Sequence, residues 1–242
     1  MRSADWDPIL RRLYGGPRGA ANEVANPYRD ARPDLDRPGA ARARRRNLEA
    51  YLEAVGEPRI LLIGEALGYR GGRFSGIPFT SERQLAGPRR ERLRWSSDAP
   101  RLRPTSTRPG LWREPSATVV WRTLSGRATG VLLWNAFPWH PWGAGGPLSN
   151  RRPELRLLRR NLDLLERLLG ALPAAAPVAI GRTAARALVD LGVAAPRSVR
   201  HPAHGGAPAF HRDLKLFLDR REEGGRVVAP LSPLEGEKGP GV

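Results

Sequence analysis

The chain of 242 residues contains no cysteine and no long apolar run. Without thiols it cannot form disulfides, thiolate zinc sites or cysteine-ligated iron-sulfur clusters. No stretch reaches the roughly 18 apolar residues that a membrane span needs. The opening Met1-Arg2-Ser3-Ala4-Asp5 does not have the charged and then apolar order of a secretion signal. We therefore expect a soluble cytoplasmic protein that contacts no membrane.

Lysine is scarce as well, since all of the 41 basic residues except Lys215 and Lys238 are arginine. The formal net charge is +17. Because arginine can fork two hydrogen bonds onto a phosphate and stack on a base, this charge favours DNA or another polyanion as partner. The alternative is a coding bias toward arginine and alanine without functional meaning.

The length suits one α/β domain with irregular segments at its ends. We expect an N-terminal arm over 1–41, the domain over 42–220 and a disordered tail over 221–242, where glycine, proline and glutamate dominate. Residues 83–114 hold nine arginines and several prolines without periodicity, which predicts a long basic loop inside the domain. Its charge favours contact with phosphates.

Alternating apolar segments predict an α/β fold. Residues 59–64 and 131–135 are continuous apolar runs, whereas a strand with one solvent-exposed face would alternate apolar and polar residues. They therefore predict parallel strands that are covered on both faces. Weaker runs at 177–181 and 198–201 give two more strands. Apolar residues at helical spacing predict helices at 8–14, 43–55, 116–124, 155–169 and 183–191. This alternation predicts a three-layer α/β/α sandwich around a central four-stranded parallel sheet.

Unusual segments follow three of the four predicted strands, where open parallel sheets bind their ligands. The first begins Gly64-Glu65-Ala66-Leu67-Gly68 and ends with Gly76-Ile77-Pro78-Phe79. The second is Asn135-Ala136-Phe137-Pro138, and the third is His201-Pro202-Ala203-His204-Gly205-Gly206. Each alone is a weak signal, but their order after successive strands is specific.

As a set these segments resemble the motifs of the uracil-DNA glycosylase superfamily, over about 60–210. The resemblance implies a DNA-repair glycosylase that flips a deaminated base, most simply uracil, out of single- or double-stranded DNA. It would hydrolyse the N-glycosidic bond and leave an abasic site, the first step of base excision repair. We expect a monofunctional enzyme without cofactor or metal, monomeric and associated with the nucleoid.

The resemblance also implies roles for individual residues. Phe79 would stack on the flipped base, Asn135 would read its edge through donor and acceptor together, and His201 would stabilise the departing anion. The alternatives are core packing for Phe79, a turn cap for Asn135 and a strand cap for His201. Tyr69 is a further expected contact of the base.

Glu65 is the expected activator of water, with a loop-bracing carboxylate as the alternative. Ala66 stands where better-understood branches have aspartate or asparagine, so it would face the sugar without a polar group. DNA contacts are expected from Arg70, from Asn150 and Arg151 before the 155–169 helix, and from His204, Gly205 and Gly206 in a minor-groove loop. Plain helix capping is the alternative for Asn150.

Three other functions compete with uracil excision. Ala66 leaves open a non-catalytic or weakly active module that binds damaged DNA, and the base removed could be hypoxanthine or xanthine. A nucleotide-binding enzyme is disfavoured because no Gly-x-Gly-x-x-Gly or Gly-Lys-Ser/Thr pattern follows the first strand. A metal site of His140, His201 and Glu65 is disfavoured because no two ligands have helical metal spacing.

Overall fold

The structure is a computed structural model, and it describes residues 5–19, 23–87, 102–125 and 127–223. The helices in these ranges are α1 (Asp7–Gly15), α2 (Ala40–Val55), α3 (Gly72–Ser75), α4 (Glu82–Ala86), α5 (Pro115–Thr123), α6 (Leu155–Arg159), α7 (Asp163–Ala171), α8 (Arg182–Asp190) and α9 (Ala207–Glu223), with a 3-10 turn at Gly146–Leu148. The strands are β1 (Val24–Ala25), β2 (Ile60–Ala66), β3 (Val131–Phe137), β4 (His140–Pro141), β5 (Ala176–Ile180) and β6 (Arg197–Val199).

The central sheet has four parallel strands in the order β3-β2-β5-β6. Successive residues of a strand point to opposite faces, yet all seven residues of β3 are buried. Both faces are therefore covered, and the predicted α/β sandwich with a four-stranded parallel sheet is confirmed. Because the strands are parallel, the segments after β2, β3 and β6 all leave the sheet at its carboxyl edge.

The helix predictions differ from the structure in several places, since the short helices α3 and α4 were not predicted and α4 begins the predicted basic loop. The single predicted 155–169 helix is divided into α6 and α7, because the buried Asn161 between them donates to Leu157 O and accepts from Arg12 of the arm. Helix α9 was not predicted, although Phe210, Leu214 and Phe217 bury one face of it at helical spacing. Its last three residues enter the predicted tail, of which 224–242 lie outside the described residues.

The predicted arm packs against the domain over its described part. Ile9 and Leu13 of α1 are buried in the same core as the sheet, and α1 contacts α7. Strand β1 pairs antiparallel with β4, which follows β3. The arm thereby covers the chain that leaves the carboxyl end of β3.

A buried ion cluster, here called the Asp36 cluster, joins the arm, α2 and the segment after β2. Asp36 Oδ1 accepts hydrogen bonds from Arg44 Nη1 at 2.7 Å and from Arg73 Nη1 at 3.0 Å. Asp36 Oδ2 accepts a hydrogen bond from Arg73 Nη2 at 2.8 Å. The three side chains are at most 1% exposed. Arg44 also donates to the carbonyl oxygens of Pro27 and Asp30. These bonds offset the cost of removing three charges from water.

The described part of the predicted basic loop is held by another buried carboxylate. Glu82 of α4 accepts hydrogen bonds from the backbone N–H groups of Thr105, Ser106 and Trp112, and from the Ser106 hydroxyl. Residues 83–86 are helical, and 88–101 lie outside the described residues. Within the described ranges no helix is both long enough and apolar enough to cross a bilayer.

We predict that Asp36→Asn lowers the free energy of unfolding by about 3–5 kcal/mol, because it leaves the charges of Arg44 and Arg73 uncompensated in the interior. Burial raises the pKa of Asp36, but bonding and charge from Arg73 and Arg44 outweigh burial and hold it below its ordinary value. A lowered carboxyl pKa gives stability that is present at neutral pH and lost as the pH falls through the folded value.

Urea unfolding from pH 7 down to pH 3 measures both effects. The control is Asp34→Asn, which alters an exposed ion pair with Arg32 and should have little effect. Equal stability of Asp36→Asn and wild type at pH 7 would contradict a structural role for the cluster.

Candidate active site

The carboxyl ends of β2 and β3 bring together Gly64, Asn135 and Phe79. Gly64 and Asn135 are partners across the two strands. A Cβ atom on Gly64 would lie 2.2 Å from Phe79 Cζ and 2.6 Å from Asn135 Oδ1. Only glycine therefore leaves room for the ring and the amide to lie side by side over the end of β2.

The Asn135 amide oxygen is not satisfied by the described part of the fold. The residue is 2% exposed, and its Oδ1 has no hydrogen-bond partner among the described residues. A buried amide oxygen without a partner costs free energy, so such groups in folded proteins ordinarily find one. The arrangement favours a ligand that supplies the missing donor, and it does not support the turn-cap alternative.

Phe79 is held in a strained backbone conformation. Its φ of 50° lies in the left-handed region, which costs a residue with a side chain about 1–3 kcal/mol. Trp121 of α5 donates from Nε1 to Phe79 O at 2.9 Å and lies 3.1 Å from Thr80 Oγ1. Sequence reasoning missed Trp121, because nothing in the pattern of α5 links it to the segment after β2.

His201 follows β6 and flanks Phe79, with ring centroids 6.5 Å apart. Its Nδ1 accepts a hydrogen bond from the Ala203 backbone at 3.1 Å. A neutral imidazole that accepts at Nδ1 carries its proton on Nε2, where it can donate to a ligand. Burial, and the nearby His204, lower the pKa of His201, which favours this neutral form.

The loop after His201 has a tightly determined path. A Cβ on Gly206 would lie 2.0 Å from His201 O, and Gly205 has a φ of 77°. His204 is exposed and also has a positive φ, of 51°. The loop therefore presents an imidazole to the surface next to the candidate site, where we had predicted a contact with DNA.

Glu65 and Ala66 are the last residues of β2, where the sequence had predicted the strand to end at 64. The Glu65 carboxylate accepts a hydrogen bond from the hydroxyl of Thr183 in α8, and it lies 3.8 Å from Arg152 Nε. Ala66 pairs with Phe137 of β3. These contacts favour the loop-bracing alternative for Glu65, whose activation of water stays a prediction.

The remaining predicted contacts lie around the turn after β2. Asn150 Oδ1 accepts a hydrogen bond from the backbone N–H of Tyr69 at 2.9 Å. The exposed Arg70 donates a hydrogen bond from Nε to the Tyr69 hydroxyl at 2.8 Å. Arg151 instead binds Trp142 O and lies 3.2 Å from Glu23. Since α6 begins only at Leu155, Asn150 does not cap it, which disfavours the capping alternative. The contacts of Asn150 and Arg151 with DNA stay predictions.

His140 has a structural environment. It is fully buried, its Nε2 lies 2.9 Å from Ser149 O, and burial lowers its pKa to about 4. The described ranges contain no group of three or more His, Cys, Asp or Glu side chains placed to hold a metal ion. The residues that are brought together at the carboxyl edge are Phe79, Asn135 and His201.

Comparisons with known proteins concern the family and the fold of the chain. The family model "Uracil DNA glycosylase superfamily" matches residues 51–230, which include the four strands of the central sheet and all three motif segments. Among solved structures, the crystal structure of wild-type Pedobacter heparinus SMUG2 is similar to this chain, with a TM-score of 0.60 and 12% sequence identity. The match covers 92% of this chain and 98% of that one, and it concerns the fold. No curated protein matches the chain.

We predict that His201 is neutral at pH 7, with its proton on Nε2 and a pKa below the ordinary histidine value of about 6.5. Nitrogen-15 NMR of the imidazoles against pH measures both the tautomer and the pKa. In His204→Ala the pKa of His201 should rise, because a neighbouring charge is removed. A proton on Nδ1, or a pKa at the ordinary value, would contradict the geometry described for this ring.

Proposed function

The chain belongs to the uracil DNA glycosylase superfamily, and from this premise we propose that it is a monofunctional DNA glycosylase that removes uracil. Hydrolysis of the N-glycosidic bond would release the base and leave an abasic site. The observation that carries the proposal is the buried Asn135 amide oxygen, which has no partner among the described residues and lies next to the Phe79 ring. An amide offers the acceptor and donor that the N3–H and O4 of uracil require.

Base binding in this proposal uses Phe79 and Asn135 together. The flipped base stacks on the Phe79 ring, for which Gly64 leaves room, while Trp121 fixes the Phe79 backbone by a hydrogen bond to its carbonyl oxygen. Holding the aromatic ring rigid in advance lowers the cost of ordering it when the base enters. The glycosidic bond is then presented toward the carboxyl edge of the sheet, where His201 and the turn after β2 lie.

His201 is the proposed electrostatic catalyst. As the bond to the sugar breaks, negative charge develops on the base, and a donor at Nε2 binds the uracil O2 more strongly in the transition state than before. A neutral imidazole can do this without leaving a buried positive charge in the empty site. The lowered pKa of His201 supports this part of the proposal.

Arginine supplies the proposed binding of DNA. The formal net charge of +17 favours capture of the phosphate backbone. Arg70 lies beside the turn after β2, and the exposed loop of His204 and Gly205 lies beside His201, so both flank the place where a flipped nucleotide would enter. We propose that Arg70 contacts a DNA phosphate and that His204 contacts the gap that the flipped base leaves in the duplex.

A second candidate is a damaged-DNA-binding module that lacks catalysis. The observations that favour it are the apolar Ala66 and the engagement of Glu65 by Thr183 and Arg152. Such a module would keep the base contacts of Asn135 and Phe79 while it lost activation of water.

Excision assays separate the two. Oligonucleotides with a single uracil, hypoxanthine or xanthine, single- or double-stranded, are incubated without added metal and treated with alkali. We predict strand breaks at uracil, and a loss of about 100- to 1,000-fold in the single-turnover rate for Asn135→Ala and His201→Ala, the range seen when one transition-state donor is removed.

The matched control is His211→Ala, an exposed histidine on α9, which should keep the wild-type rate. Breaks at hypoxanthine or xanthine alone would reassign the base. Tight binding of uracil-containing DNA without any breaks would refute the enzymatic proposal and favour the binding module.

A further inference from the structure

Glu114 directs its carboxyl group away from its own helix. It is the residue before α5, but its side chain makes no capping hydrogen bond there. Instead the carboxyl oxygens lie against the turn after β2: a Cβ on Gly68 would be 2.3 Å from Oε1, and a Cβ on Gly71 would be 2.2 Å from Oε2. Two glycines therefore make room for this carboxyl group.

No charge compensates Glu114 within the described ranges, which contain neither a salt bridge nor a side-chain hydrogen bond to its oxygens. Burial raises its pKa to about 7. The titratable or charged groups on the segments around it are Tyr69 and Arg70 on the turn, Arg73 in α3, Arg113 beside it in sequence, and His140, which interacts with Asn150. A half-buried carboxyl group with no such partner costs stability once it ionises, so a role in folding does not explain it.

The position of Glu114 matches a function that the other residues leave unfilled. Gly68 follows Ala66 by two residues, at the carboxyl end of β2. Asn150 faces the same glycine, with its Nδ2 3.7 Å from the Cβ position, while its Oδ1 is fixed by the Tyr69 backbone. Ala66 has no polar atom in its side chain, and Glu65 is bonded to Thr183. A carboxyl and an amide therefore lie together against the turn after β2, and both are groups that can bind a water.

We propose that Glu114 is the catalytic carboxylate that orients and deprotonates the attacking water, with Asn150 as a second ligand of that water. The inference rests on the proposed glycosylase function. The water oxygen bonds to the sugar C1′ and its proton passes to the Glu114 carboxylate. The C1′–N bond breaks, and its electron pair leaves with the base as an anion that His201 stabilises. General-base catalysis of this kind contributes about 100- to 10,000-fold.

The test compares Glu114→Gln with wild type in single-turnover excision of uracil between pH 5 and 9. The wild-type rate should rise up to a pH of about 7 and then level, as the carboxylate forms. Glu114→Gln should be slower by at least about 100-fold and lose this dependence, while its affinity for uracil-containing DNA stays within about twofold of wild type. Glu57→Gln, an exposed glutamate before β2, is the control and should keep the wild-type rate and profile.

Stability gives a second readout that does not depend on excision. A raised carboxyl pKa disfavours the folded state increasingly as the pH rises from the ordinary value of 4.5 to about 7. Glu114→Gln removes this cost, so it should be as stable as wild type at pH 4.5 and more stable at pH 8. A carboxylate that braces the turn gives the opposite result, a variant less stable than wild type at pH 8.

Each outcome decides a separate point. A Glu114→Gln variant that keeps the wild-type rate and pH profile overturns the role of Glu114, whereas the glycosylase function stands if wild type excises uracil. A wild-type chain that excises no base refutes the glycosylase function itself, and the catalytic role falls with it.

Discussion

The Asp36 cluster is the interaction on which the rest of the structure depends. Two buried guanidinium groups share one carboxylate, so the interior holds a net positive charge that hydrogen bonds must stabilise, although Arg73 Nε has no partner among the described residues. Arg44 obtains these bonds from Asp36 and from the carbonyl oxygens of the arm, and Arg73 brings in the segment after β2. The arm, α2 and that segment are thereby fixed relative to one another before any ligand is bound.

The same constraint determines where the candidate site forms. Just beyond Arg73, Gly76 has a φ of 78° and packs so closely on α2 that a Cβ would lie 2.5 Å from Arg44 O. Tyr28 of the arm donates to Gly76 O at 2.9 Å. The chain then reaches Phe79 in its left-handed conformation, with the ring over Gly64. The Asp36 cluster, which lies outside the candidate site, thus positions the Phe79 ring through this segment. The strain at Phe79 is offset by packing elsewhere in the fold.

Much of the sheet and part of the site could be predicted from local sequence, because continuous apolar runs indicate buried parallel strands and ligands lie at their carboxyl ends. Asn135 lies near the end of β3 and His201 comes just after β6, so both lie at that edge. The Asp36 cluster, Trp121 and Glu114 could not be predicted. Their contacts join segments without periodicity that are far apart in sequence, so only the folded path brings them together. Asn161 divides a helix that its leucine spacing predicted to be continuous, because a tertiary contact with Arg12 outweighs helix propensity.

The most direct measurement is a crystal structure of the protein with a DNA duplex that contains one 2′-fluoro-deoxyuridine, whose glycosidic bond resists cleavage. The proposed function predicts that the uracil is flipped out of the duplex and stacked on Phe79. Its N3–H should then donate a hydrogen bond to Asn135 Oδ1, and its O2 should accept one from His201 Nε2. A uracil that stays paired in the duplex, or that binds away from the carboxyl ends of β2 and β3, would contradict the assignment of the site.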